Sequence, residues 1–325
     1  MSEDTLKNLI RKTIRETTGV ISYAYQGGEP TLRGLDFYKS AVKYQKEYNN
    51  AGIKIMNAFQ TNGALIDEKW CSFFKENDFL VGISLDGNKF THDRYRHLKE
   101  SVESSFDRTM SAIKLLEEHG VRYNVLTVVS REVATDIETI YDFYKKLGIE
   151  YQQYIPCLDP IDEVRGTKSY SLTPIEYGEF LIKLFGKWLK DYRRNKDPYI
   201  RQFDNYRGIL MGYEPEACDQ RGRCMEYYVC EADGSVYPCD FYMLDRYRLG
   251  NINEDTISVL DKKRIEIGFT KESEKLDKTC HECKYYRLCR GGCQRNRIMQ
   301  DTGLYKNYYC ESYKMFFDRY IDYLK

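Results

Sequence analysis

Histidine is scarce in this sequence, net charge is absent, and no apolar run is long. The four histidines, His92, His97, His119 and His281, show neither H-E-x-x-H nor H-x-E spacing, so no histidine-held catalytic metal is signalled. Fifty basic residues balance fifty acidic ones, and no broad field steers the chain toward nucleic acid or anionic lipid. The basic runs are short and broken by acids, as solvated faces are. No stretch approaches the roughly 18 apolar residues that span a bilayer. The opening MSEDTLKNLIRK is polar and lacks an apolar signal core, which predicts a cytoplasmic chain with no membrane partner and no nucleic-acid partner. There is no Walker loop, no G-x-G-x-x-G after a strand, no G-x-S-x-G, no repeat of fixed period and no low-complexity tract.

Cysteine is what the sequence does have. Nine of its eleven cysteines lie beyond residue 217, and eight of these fall into a spaced array. Cys280, Cys283, Cys289 and Cys293 form C-x2-C-x5-C-x3-C. Cys218 lies upstream, and Cys224 and Cys239 frame C-x9-G-x4-C around Gly234; Cys310 lies downstream. Eight thiolates suffice for two four-cysteine metal sites, and a reducing cytoplasm favours metal over disulfide. Spacing alone fits structural zinc as well as iron–sulfur; a four-disulfide secreted domain is the weakest of the three readings. Cys71, beside Trp70 in a helical stretch, reads as buried filler. Cys230 reads as a bystander inside the array.

The length suits one large domain and a smaller one. Segments 20–25, 53–59, 79–85, 122–129 and 151–158 are rich in β-branched and aromatic residues, with helical stretches between them. That alternation predicts a parallel sheet with helices packed outside, and the apolar runs predict strands buried on both faces. The opening helix carries Leu6, Leu9, Ile10 and Ile14 on one face with Ser2 as N-cap. It has no strand before it, as if a first βα unit were missing and a sheet edge left uncovered. A second helix starts at Thr173, with Pro174 at its first position and Glu176 completing a capping box. The charged run at 190–197 marks the predicted boundary between domains 1–195 and 196–325. The second is poor in apolar runs and so depends on its metal sites. Most of the thirty tyrosines read as amphipathic packing, some as the lining of a peptide groove.

Three turns follow three strands: Gln26-Gly27-Gly28-Glu29-Pro30, Thr61-Asn62-Gly63 and Asp86-Gly87. Paired glycines let a backbone approach a ligand, and strand C-termini are where α/β sheets bind them. Asp240 directly follows Cys239. A carboxylate beside a cluster ligand suits a base that removes a proton while an electron leaves nearby; the plain alternative is a solvated acid.

YQGGEPTLRGLDFY (25–38), FQTNGALID (59–67), FLVGISLDG (79–87), CLDP (157–160), DGSVYPCDFY (233–242), RLGNI (248–252) and CKYYRLCRGGC (283–293) together resemble the anaerobic sulfatase-maturating enzymes. These are radical S-adenosylmethionine (SAM) proteins with a SPASM domain. The resemblance runs from the first helix almost to the C-terminus. It implies a partial (β/α)6 barrel of radical-SAM type followed by a small SPASM domain with two auxiliary [4Fe–4S] clusters, a third cluster belonging to the complete enzyme. It implies oxidation of a cysteine or serine of a sulfatase polypeptide to formylglycine, with a reductant such as flavodoxin or ferredoxin. It places Gly28 at the methionyl end of SAM, Ser84 and Arg96 at its ribose and carboxylate, and Leu158 near the adenine. Asp240 matches the proton acceptor. Cys218, Cys224, Cys239 and Cys293 match one cluster's ligands, and Cys280, Cys283, Cys289 and Cys310 the other's. On this resemblance iron–sulfur is favoured over zinc.

One departure matters. The family's C-x3-C-x2-C loop, which carries the radical-generating cluster, occurs nowhere in these residues. Either the sequence lacks its true N-terminus, or it is a natural chain that binds clusters and peptide without cleaving SAM. Retention of Asp240, which serves only the chemistry, favours the first. Two other functions stay open: a peptide-crosslinking SPASM enzyme, and a non-catalytic iron–sulfur adaptor.

Overall fold

A computed structural model of the chain describes residues 1–98 and 103–324. Its centre is a six-stranded parallel sheet in sequential order, β1 (Val20–Tyr25), β2 (Lys54–Thr61), β3 (Leu80–Ser84), β4 (Tyr123–Val129), β5 (Tyr151–Pro156) and β6 (Tyr199–Ile200). Helices fill the crossovers: α1 (Glu3–Glu16) precedes β1, α2 (Leu35–Tyr48) and α3 (Glu68–Glu76) follow β1 and β2, and α4 (Lys89–Tyr95) and α5 (Ser105–Glu118) follow β3. Then come α6 (Arg131–Thr135), α7 (Ile137–Lys146), α8 (Pro174–Tyr192) and α9 (Arg201–Leu210).

Side chains alternate across each strand. Phe59, Val81, Ile83, Val125 and Val129 point to the helices and are buried. Gln60, Ser84, Asn124 and Gln153 point the other way and are half-buried. The strands are therefore not buried on both faces as the apolar runs predict: the second face is polar and looks into a cavity. Gly82 sits on that face because a Cβ there would strike Gln60 and Leu126.

The cysteine-rich region forms a small three-stranded antiparallel sheet of β7 (Val229–Cys230), β8 (Ser235–Tyr237) and β9 (Gly250–Asn251). After it come α10 (Ile257–Ile267) and the single turns α11 (Phe269–Glu272), α12 (Lys278–His281) and α13 (Tyr286–Cys289). A hairpin of β10 (Arg297–Met299) and β11 (Tyr305–Asn307) leads into α14 (Cys310–Leu324). Apolar content here is low, and the local cores are small, such as Val236, Leu249, Ile252 and Leu260.

Two elements cross the expected boundary at residue 195. Strand β6 pairs with β5 through Tyr151–Tyr199 and Gln152–Ile200, so the main sheet continues past it. Helix α14 returns to pack Phe316 against Phe185 of α8 and Phe203 of α9. The edge strand β1 has α1 on its helix-covered side, where Leu6, Ile10 and Ile14 meet Ala41 and Tyr44 of α2. Leu9, on the neighbouring face of α1, packs instead on the Val236 cluster.

Candidate active site

The first two of the three strand-end turns are joined by one carboxylate. Glu29 caps its own turn, accepting from Thr31 N at 3.0 Å, then reaches the next strand end, accepting from Thr61 Oγ1 at 2.7 Å and Asn62 N at 2.8 Å. This frees the preceding Gly27 and Gly28, at φ +92° and +53°, to hold an exposed left-handed turn that a side chain would strain. On the third strand end Asp86 accepts from Val128 N at 2.8 Å and from Arg96 Nε at 2.5 Å, which places Arg96 on the same rim. The Ser84 hydroxyl accepts from Gln60 Nε2 at 3.2 Å.

Beneath the rim a cavity of about 540 Å³ separates the polar face of the sheet from the cysteine-rich region. Gln26, Gln60 and Leu158 line it from the sheet side; Asp240 and Phe241 line it from the other. The β7–β8–β9 sheet and the short turn at Asp240–Tyr242 deliver Asp240 there. Its carboxylate accepts from the Tyr227 hydroxyl at 3.0 Å and from Gln26 Nε2 at 3.5 Å. The same Tyr227 oxygen lies 3.3 Å from Cys239 Sγ. One hydroxyl proton thus faces a carboxylate and a thiol, and burial raises the Tyr227 pKa far above its usual value, so it stays a donor.

All eleven cysteines are unpaired. Cys218, Cys224, Cys239 and Cys293 all line the cavity, and the first two act on the Cys293 thiol. Cys280, Cys283 and Cys310 act together on Cys289. The eight thiols therefore fall into two groups, one facing the cavity and one outside it. Burial pushes Cys224 up to about 11 and Cys239 and Cys289 up to about 12. Thiolates here need positive charge to form, which iron in a cluster supplies. Among the described residues no three His, Cys, Asp or Glu side chains converge tightly enough for a single metal ion. Each group offers four thiols, the donor set of a [4Fe–4S] cluster. Cys71 is fully buried in the main core, and Cys230 lies in β7 against the Val236 cluster.

Comparison with known proteins decides the family. The Radical SAM superfamily matches residues 1–144, and the SPASM iron–sulfur cluster-binding domain matches residues 218–284. A cysteine-type anaerobic sulfatase-maturating enzyme of Clostridium novyi is 44% identical over 322 residues, covering 99% of this chain and 86% of its own length. The chain belongs to the anaerobic sulfatase-maturating enzyme family. A serine-type member from Bacteroides thetaiotaomicron is 32% identical, over 100% of this chain and 83% of its own length. Among solved structures, native anSMEcpe with bound AdoMet and the Kp18Cys peptide superposes with a TM-score of 0.95 at 40% identity, over 100% of this chain and 90% of that one. The fold is thus a radical SAM α/β domain with a SPASM domain.

Sequence reasoning passed over Tyr227, the neighbour shared by Asp240 and Cys239. With thirty tyrosines in the chain and no motif around it, nothing in the spacing distinguishes it. It also passed over Arg201, on the cavity wall, whose Nη1 donates to Gln153 Oε1 at 3.1 Å.

Proposed function

We propose that this protein oxidises a cysteine of a sulfatase polypeptide to formylglycine, with Asp240 as the base. The observation that carries this reading is the position of Asp240, on the wall of the cavity between the sheet and the Cys218, Cys224, Cys239 and Cys293 thiols. The higher identity to cysteine-type than to serine-type relatives, 44% against 32%, favours a thiol over a hydroxyl as the group oxidised.

When bound, SAM and the clusters supply a carbon-centred radical and electron acceptors. Gly28, Ser84, Arg96 and Leu158 hold the SAM on our reading, the glycine turn by leaving room for backbone contact. Cys218, Cys224, Cys239 and Cys293 hold one auxiliary cluster, and Cys280, Cys283, Cys289 and Cys310 the other. Asp240 accepts the proton of the substrate thiol, and Tyr227 fixes the carboxylate at 3.0 Å. Gln60, Asn124 and Gln153 on the cavity wall offer amides to the peptide backbone. A flavodoxin or ferredoxin provides electrons, and the reaction takes place in the cytoplasm.

The test uses the chain joined to a C-x3-C-x2-C segment, since radical generation needs three thiolates that these residues lack. It is incubated without oxygen with SAM, reductant and a cysteine-containing sulfatase peptide. The parent converts the peptide to the aldehyde. Asp240→Asn lowers aldehyde formation by at least about 10²-fold, the usual size of general-base catalysis, while deoxyadenosine still forms. An Asp240→Asn variant as fast as its parent, or a parent that makes deoxyadenosine but leaves the peptide unchanged, contradicts the reading.

A further inference from the structure

Arg297 opens β10 and is 7% exposed. Its guanidinium is spent on backbone carbonyls: Nε donates to Gly291 O at 3.0 Å, Nη2 to Gly292 O at 2.7 Å and Gly222 O at 3.3 Å, and Nη1 to Ser273 O. These bonds satisfy its N–H groups but leave its charge. Among the described residues no carboxylate forms an ion pair with it. Burying a cation without a counter-ion is costly, so an uncompensated arginine here would be a poor way to hold a turn.

The compensation lies in the thiols. The carbonyl partners of Arg297 adjoin both groups: Gly222 lies two residues before Cys224, and Gly291 and Gly292 lie between Cys289 and Cys293. The chain path makes the shared position unavoidable. Cys289 and Cys293 belong to different groups and are separated by a turn containing Gly291 and Gly292, whose carbonyls both accept from Arg297.

We propose that Arg297 is the common counter-cation of the two cysteine groups and sets the reduction potential of both together. The proposal rests on the reading that each group seats a four-thiolate iron–sulfur cluster. In the proposed reaction the substrate CH2–SH becomes CH=S. A hydrogen atom would leave carbon for the deoxyadenosyl radical, the sulfur proton would go to Asp240, and the remaining electron would go to a cluster that Cys218, Cys224, Cys239 and Cys293 would hold. A cluster held by Cys280, Cys283, Cys289 and Cys310 would pass that electron on to a one-electron carrier. A fixed positive charge beside both clusters stabilises the added electron on either. It draws the electron off the substrate without adding a step between the two. Arg297 is a positioning residue in this sense, since it touches neither substrate nor reacting atoms.

The experiment is an anaerobic redox titration of the 325-residue chain, followed by electron paramagnetic resonance, in parent, Arg297→Gln and Arg297→Lys forms. These residues hold no third thiol set, so the titration reads the two auxiliary clusters alone. Arg297→Gln makes each cluster at least tenfold poorer as an electron acceptor, a fall of 59 mV in each midpoint for a one-electron couple. Arg297→Lys, which keeps the charge but not the five-donor fork, holds both midpoints within that tenfold. Unchanged midpoints in Arg297→Gln, movement of one cluster only, or an equal fall in Arg297→Lys overturns the proposal. If Arg297→Gln takes up no iron, Arg297→Lys decides: full iron and parental midpoints support the charge role, and iron loss or lowered midpoints contradict it. A parent without two cluster signals refutes the cluster reading itself, a separate outcome.

Discussion

His92 shows how a single buried group sets a property of the whole chain. It is fully buried; Nδ1 accepts from Asp86 N at 3.1 Å and Nε2 lies 3.3 Å from the Ser105 hydroxyl. A nitrogen that accepts from a backbone N–H has no place for a proton. Burial pushes the His92 pKa down to about 4, with Asp86 and Asp93 opposing and Arg96 assisting. Between that value and the unfolded 6.5, the unfolded chain binds the extra proton, so acidification favours unfolding. The native state loses about 2 kcal/mol from this group between pH 7 and 5, on the usual 1.4 kcal/mol per pKa unit. Denaturant titrations at pH 7 and pH 5 check it: His92→Gln should lose less stability on acidification than the parent, and equal losses in the two proteins would contradict it. Asp240 was legible at this scale because it follows Cys239. Tyr227 and Arg297 were not, because each acts through a contact made only after the chain closes on itself.

At the scale of elements, local chemistry was the better guide. Ser2 caps α1 by accepting from Thr5 N at 3.1 Å. Thr173 and Glu176 form the expected box, with Glu176 N donating to Thr173 Oγ1 at 3.2 Å and Thr173 N to Glu176 Oε2 at 2.7 Å. That cap starts the helix whose Trp188 and Phe185 anchor the core, so Thr173→Ala should cost about 1 kcal/mol. Urea unfolding measures it, and Thr173→Ser should recover most of the loss; a Thr173→Ala midpoint equal to the parent's would show the cap to be dispensable. The five longer strands appeared in the sequence as β-branched and aromatic runs. Strand β6 has two residues, too few to show any period. The polar face of the sheet was misread because Gln60, Asn124 and Gln153 stand singly within apolar runs. Alternation carried by a few amides is easily lost among β-branched neighbours.

At the scale of the molecule, the two ends of the chain bind the domains together. Lys12 of α1 donates to Ile252 O at 2.6 Å and Asp255 O at 2.7 Å, while Asn253 Nδ2 donates to Thr5 Oγ1 at 3.1 Å. Helix α14 begins with Cys310 and returns to α8, where Ser312 donates to Pro174 O. A cysteine of the outer group thus opens a helix of the main core, and on the proposed ligand set cluster formation and packing of the main sheet become one cooperative event. No boundary drawn from composition could show this, because the shared elements are far apart in sequence. The central claim is that the eight C-terminal thiols form two iron–sulfur seats, crossed at Cys293. Iron analysis of the anaerobically reconstituted chain tests it most directly. About eight iron atoms per chain are expected, falling to about four when either Cys224 or Cys283 is replaced by alanine. Less than one iron per chain, or zinc in its place, would contradict it.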